Sequence, residues 1–195
     1  MTAPTTTAKM TSAICRALAL NLMLALVLLA SATRDAGAAS ARAIDADVDH
    51  ALSHFYRSVG GARELVRDAA GVLVFPSVIK AGFGVGGEYG EGALRRGGYT
   101  EGYYNTVSAS FGFQLGAQAR TVIILFMSEE ALGSFRRKQG WKVGVDGSVA
   151  LITVGVGGSI DSNQIKKPVI GFILDQKGLM YNLTLEGSKI TRIDR

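Results

Sequence analysis

Cysteine is nearly missing from this 195-residue chain: Cys15 is the only one. A single thiol excludes intramolecular disulfide staples and thiolate-rich metal sites, so stability must come from packing. Histidine is as scarce, with only His50 and His54. They stand four apart on one predicted helix, which leaves a hydrolase triad without a natural assembly and a zinc site without a third obvious ligand. Proline occurs three times and tryptophan once, as Trp141. The formal charge of +5 is modest. That is little for a nucleic-acid binder, and no nucleic-acid partner is expected.

What is abundant is apolar residues, at 48% of the chain, and glycine, with 25. The apolar residues are unevenly spread. ALALNLMLALVLLA, residues 17–30, lies behind Lys9 and Arg16 and is shorter than the roughly 20 residues that a bilayer span needs. Small residues follow, with Ala-x-Ala sites at Ala30-Ser31-Ala32 and Ala36-Gly37-Ala38. This order of charge, apolar run and small residues predicts a secretory signal peptide over residues 1–38, cleaved near Ala38. Cys15 precedes the run, whereas a lipoprotein cysteine follows it. Cleavage leaves a cysteine-free chain of formal charge +3, an expected single domain over 39–195.

Ile44, Val48, Ala51, Leu52, Phe55 and Val59 recur at helical spacing, and Ala62, Leu65, Val66 and Ala69 predict a second, shorter helix after Gly60-Gly61. From Gly71 onward the pattern becomes β-like. VLVF, residues 72–75, reads as a short strand stopped by Pro76, and Phe111 to Ala117 and Thr121 to Met127 read as two more. SEEALGSFRRK, residues 128–138, opens on a capping serine and acids and closes on basic residues, the polarity of a short helix. Turns are expected at Asp146-Gly147 and around Gln176-Lys177-Gly178.

Between Lys80 and Gly92 glycine recurs at alternate positions. Gly82, Gly84 and Gly87 satisfy G-x-G-x-x-G, but a dinucleotide fingerprint must open a helix, and Gly90 and Gly92 forbid one. In an extended chain such spacing strips one strand face of side chains, which invites close backbone packing. Asp45, Asp47 and Asp49 mimic the start of a calcium loop, but His50 and Tyr56 occupy its glycine and closing glutamate positions. Glu88, Glu91 and Glu101 lie among strand and turn residues, where a paired-carboxylate site leaves no sequence signature, but the usual catalytic groups are scarce rather than clustered. The expectation is therefore a binding protein, with no enzyme activity, metal or cofactor. Its most suggestive surface is cationic and aromatic: Arg136, Arg137, Lys138, Trp141 and Lys142, a combination suited to a lipid headgroup region. A core role for Trp141 is the alternative.

Three separated blocks, AAGVLVFPSVIKAGFGVGGEYGEG, FGFQLGAQARTVIILFMSEEALGSF and DQKGLMYNLTLEGSKI, resemble the SYLF domain family of lipid-binding proteins, in that order over roughly residues 44–193. The residues carrying the resemblance include Lys80, Gly82, Phe83 and Gly84, with Glu186 and Gly187 near the end. The resemblance implies phosphoinositide membrane binding and, in some eukaryotic members, actin binding; bacterial members are exported envelope proteins. It also implies that the amphipathic helix at Ile44 to Val59 contacts membrane. Asp45, Asp47 and Asp49 make that helix's early polar face acidic, while Arg57, Arg63 and Arg67 restore positive charge further along.

Together these readings predict an α+β, mostly β domain: a glycine-rich antiparallel β-barrel-like sheet (about 71–193) with N-terminal amphipathic helices (about 44–70) and one short inserted helix. The expected role is an exported periplasmic or envelope-associated binder of phospholipid or a membrane surface. Export makes actin an improbable partner. The alternative is a structural module that meets an envelope protein without binding lipid.

Overall fold

The computed structural model describes residues 40–154, 166–178, 185 and 187–195, all within one compact unit, Ala39–Arg195. The predicted signal segment, and Glu186 of the family motif, lie outside the described residues. The fold is mostly β, with a curled mixed sheet forming a half-barrel.

Two helices come first, α1 (Ala41–Ser58) and α2 (Ala62–Asp68). Ser40 caps α1 by accepting from the Ala43 amide, and Gly61 separates the helices with φ at 77°. β1 (Gly71–Arg96) and β2 (Tyr99–Phe126) then form one very long antiparallel hairpin. Its tip is Gly97-Gly98, both at positive φ, the backbone that a tight two-residue turn demands. α3 (Glu129–Arg137) follows, capped by Ser128, whose hydroxyl accepts from the Ala131 amide. β3 (Trp141–Lys142), β4 (Ala150–Thr153), β5 (Val169–Gly178) and β6 (Lys189–Ile193) complete the described elements.

β2 is the spine of the sheet. β1 pairs along one of its edges; on the other, residues 103–107 pair with β6 and residues 118–126 with β5. All of these pairings are antiparallel, but β4 joins β5 in parallel, so the sheet is mixed where an antiparallel one was expected.

The strands expected to be separate are continuous. Pro76 does not end a strand; it sits where the β1–β2 register shifts between Phe75 and Val78, a bulge that tolerates a residue without an amide proton. The turn expected at Gln176–Gly178 is likewise strand. Asp175 takes φ 55°, the register shifts between Ala119 and Thr121, and β5 runs on to pair Lys177 and Gly178 with Ala119 and Gln118.

Both sheet faces are covered, which explains why VLVF and VIILF are apolar without alternation. On one face Val72, Val74, Ile123 and Leu125 pack under Ile44, Val48, Ala51 and Phe55 of α1, with Phe55 and Phe172 rings 4.8 Å apart. On the other, inside the curl, Leu73, Phe75, Val122, Ile124 and Phe126 meet Leu132 and Phe135 of α3.

The alternate glycines explain the curl. A Cβ on Gly92 would lie 1.9 Å from the carbonyl oxygen of Val74, and one on Gly90 would lie 2.8 Å from that of Ser77. The end of β1 therefore crosses directly over its own beginning, backbone against bare backbone. Side chains there would hold the two passes apart.

Candidate functional site

α1 is bound to the sheet by polar as well as apolar contacts. Arg95, beside the hairpin tip, donates from Nη2 to Asp49 Oδ1 at 2.7 Å and to the Asp45 carbonyl at 3.2 Å. Asp45 also accepts from the Thr100 hydroxyl at 2.6 Å and the Tyr103 hydroxyl at 2.9 Å. Burial, and then that hydrogen bond, push the Tyr103 phenol up from its ordinary pKa. Two of the three early acids on α1 are thus fasteners. Because its apolar stripe faces the core, α1 offers its polar side outward rather than an apolar face for membrane insertion.

Between α1, α2 and the hairpin tip lies a cleft of about 780 Å³. Leu52, Tyr56, Val66, Ala69, Ala70 and Val72 give it an apolar lining, and Arg67, Arg95 and Arg96 stand around it. Arg96 pairs with Glu129 of α3 at 2.5 Å, and Arg95 with Asp49, so both brace the rim. Arg67 is different: it is exposed, and among the described residues its ion pair is with its neighbour Asp68, at 3.1 Å. Arg63, one turn earlier on α2, lays its guanidinium 4.6 Å from the Tyr56 ring centroid, a cation–π contact at the cleft wall. The arrangement joins an apolar trough to exposed guanidinium groups, which suits an amphiphile with an anionic head.

The sequence-predicted residues divide clearly. Arg67 lines this cleft and Arg63 lies over Tyr56, one of its lining residues; Arg57 is exposed on α1. The group around Trp141 does not form one cationic and aromatic face. Trp141 is 2% exposed, packed edge-on against Phe126 and Phe135, and it lies over Gly147, where an added Cβ would meet the indole at 2.6 Å. Arg136 pairs with Glu101, a hydrogen bond that raises the guanidinium pKa, and Lys138 donates to Asp146 at 2.6 Å. Arg137 and Lys142 are exposed and make no ion pair among the described residues. Of the family-motif residues, Lys80, Gly82, Phe83 and Gly84 all lie within β1, and Gly187 takes φ 81° beside β6.

Glu88 pairs with Arg120 in the barrel interior, while Glu101 is spent on Arg136. His54 Nε2 lies 2.9 Å from Asp175, tying α1 to β5. Among the described residues no three His, Cys, Asp or Glu side chains are grouped to hold a metal ion. No described helix is long and apolar enough to cross a membrane.

The fold is thus a curled half-barrel with α1 and α2 on one face, α3 on the other, and an amphiphilic cleft beside the hairpin tip. Residues 107–194 match the Ysc84 family model, described as Las17-binding protein actin regulator, in agreement with the resemblance to the SYLF domain family. No curated protein matches the chain. The family match begins within β2, at Val107, whereas the physical unit includes β1, whose residues pair with those of β2 on both sides of Val107.

Proposed function

We propose that this protein is an exported, non-enzymatic lipid-binding module of the bacterial cell envelope. It engages anionic phospholipid through the cleft between α1, α2 and the hairpin tip. The observation that carries the reading is the apolar trough lined by Leu52, Tyr56 and Val66 beside the exposed guanidinium groups of Arg63 and Arg67. An acyl chain fits the trough, and its phosphate lies against α2. The match of residues 107–194 to a binding-domain family supports this class. The amino-terminal apolar run behind Lys9 and Arg16 supports export.

Co-sedimentation of the protein with anionic and with neutral vesicles tests the proposal. Binding to anionic vesicles that falls with added salt is the expected result. Absence of binding to both vesicle types, with a stoichiometric envelope protein retained instead, would replace this reading by that of a protein-interaction module.

A further inference from the structure

The interior of the half-barrel changes character along β1 and β2. The apolar layer that holds Val78, Leu94 and Val122 gives way, one step further along the same face, to Lys80, Glu88, Gln118 and Arg120. All four are at most 6% exposed. Lys80 lies directly opposite Gln118 in the ladder, and Arg120 follows two residues later on the same face. Arg120 donates from Nη2 to Glu88 Oε2 at 2.7 Å, with both side chains 2% exposed. One buried cation is therefore matched by one carboxylate.

Lys80 has no such match: among the described residues it makes no ion pair or hydrogen bond. Neither amide atom of Gln118, nor Oε1 of Glu88, has a hydrogen-bond partner there. Burying a carboxamide and a carboxylate oxygen without partners is costly, and such groups persist where something else completes them.

We propose that Lys80, Gln118 and the Arg120–Glu88 pair form an anion site inside the half-barrel that takes one phosphate group. The cluster carries one net positive charge. It presents an ammonium and an amide NH2 from adjacent strands, and a tetrahedral oxyanion can accept from both at once. The Oε1 atom of Glu88 accepts from a residual phosphate proton or a neighbouring hydroxyl. Inorganic phosphate and the phosphate of a lipid headgroup share this chemistry. The site lies on the opposite sheet face from the α1–α2 cleft, so it does not depend on vesicle binding there.

Calorimetric titration of the purified protein with inorganic phosphate, and separately with a short-chain phosphatidic acid below its micellar concentration, tests the assignment. At least one should bind at one per chain, and which one binds identifies the source. Lys80→Met should weaken that binding about tenfold or more. Its melting temperature should be equal to or higher than that of the wild type, because the charge of a side chain only 6% exposed has been removed. Glu88→Gln should bind phosphate more tightly.

Wild type that binds neither compound, or a Lys80→Met protein that binds as tightly as wild type, would overturn the site. Should Lys80→Met fail to fold, the wild type still decides. Its melting temperature must rise with the phosphate compound at fixed ionic strength and not with sodium chloride, and no rise overturns the proposal. Inorganic-phosphate binding by the Arg63→Glu, Arg67→Glu double variant should match wild type, so this site and the cleft fail or stand separately.

Discussion

Gly92→Ala is the sharpest perturbation of this fold. It adds one methyl group at a buried crossing where the Val74 carbonyl oxygen would lie 1.9 Å away, the Val74 carbonyl carbon 2.8 Å and Phe75 Cδ1 2.9 Å. Ordinary contact begins near 3.4 Å, so the two passes of β1 must part by about 1.5 Å. The obstacle is backbone, which has no rotamer to yield. Val74 is fully buried and paired with Ile123, so moving it disturbs both sheet faces. Overpacking a well-filled core costs about 1–3 kcal/mol, and a rigid backbone clash belongs at or above the upper end. With a urea slope of about 2 kcal/mol/M, a loss of ~3 kcal/mol moves the unfolding midpoint down by about 1.5 M. Gly87→Ala is the internal control, because its nearest neighbour would be the Ser108 carbonyl oxygen at 4.0 Å. That variant should stay within about 1 kcal/mol of wild type, or gain slightly from a stiffer unfolded chain. Equal midpoints for Gly92→Ala and Gly87→Ala would refute the backbone-crossing account of the alternate glycines.

Three further outcomes are expected. Trp141→Ala should destabilise by about 3–5 kcal/mol in urea titration, while the protein that remains folded partitions onto anionic vesicles as wild type does. Arg63→Glu with Arg67→Glu should weaken binding to anionic vesicles roughly thirtyfold or more at low salt, at about 1 kcal/mol per cation lost, with a shallower salt dependence. The Asp146 carboxyl is held below its ordinary pKa, first by the Lys138 ammonium and then by the Lys142 amide. A depressed folded pKa contributes stability above the unfolded value and loses it as pH falls through the folded one. Amide protection factors in residues 138–147, corrected for the intrinsic pH dependence of exchange, should therefore fall on acidification in wild type, and Asp146→Asn should remove that change.

The helices were legible in the sequence because their signals are local. Ile44, Val48, Ala51 and Phe55 mark the stripe of α1, and Ser128 with Glu129 and Glu130 marks the start of α3. The strands were visible as β structure but not as two continuous runs of 26 and 28 residues. Pro76 and Asp175 look like stops in a one-dimensional pattern, whereas a bulge lets a ladder pass both. The alternate glycines forecast a close approach, but only the fold shows that β1 approaches itself, at Gly90 and Gly92.

The cleft was half legible. Arg63 and Arg67 could be picked by charge, but the trough depends on Leu52, Tyr56 and Val66 meeting Val72 and the hairpin tip, contacts between distant segments. Trp141 could be read either as a membrane anchor or as a core residue. Gly147, six residues further on, decides in favour of the core, by leaving room for the indole. The buried Arg120–Glu88 pair had no sequence signal, since nothing local says that residues 32 apart share an interior.

The central claim is that the cleft beside α2 holds anionic lipid. Co-sedimentation of the wild type and of the Arg63→Glu, Arg67→Glu double variant with anionic vesicles at low salt tests it most directly. The account predicts that wild type pellets with the vesicles and that the folded double variant stays in the supernatant. Equal pelleting of the two proteins, or none by the wild type, would contradict it.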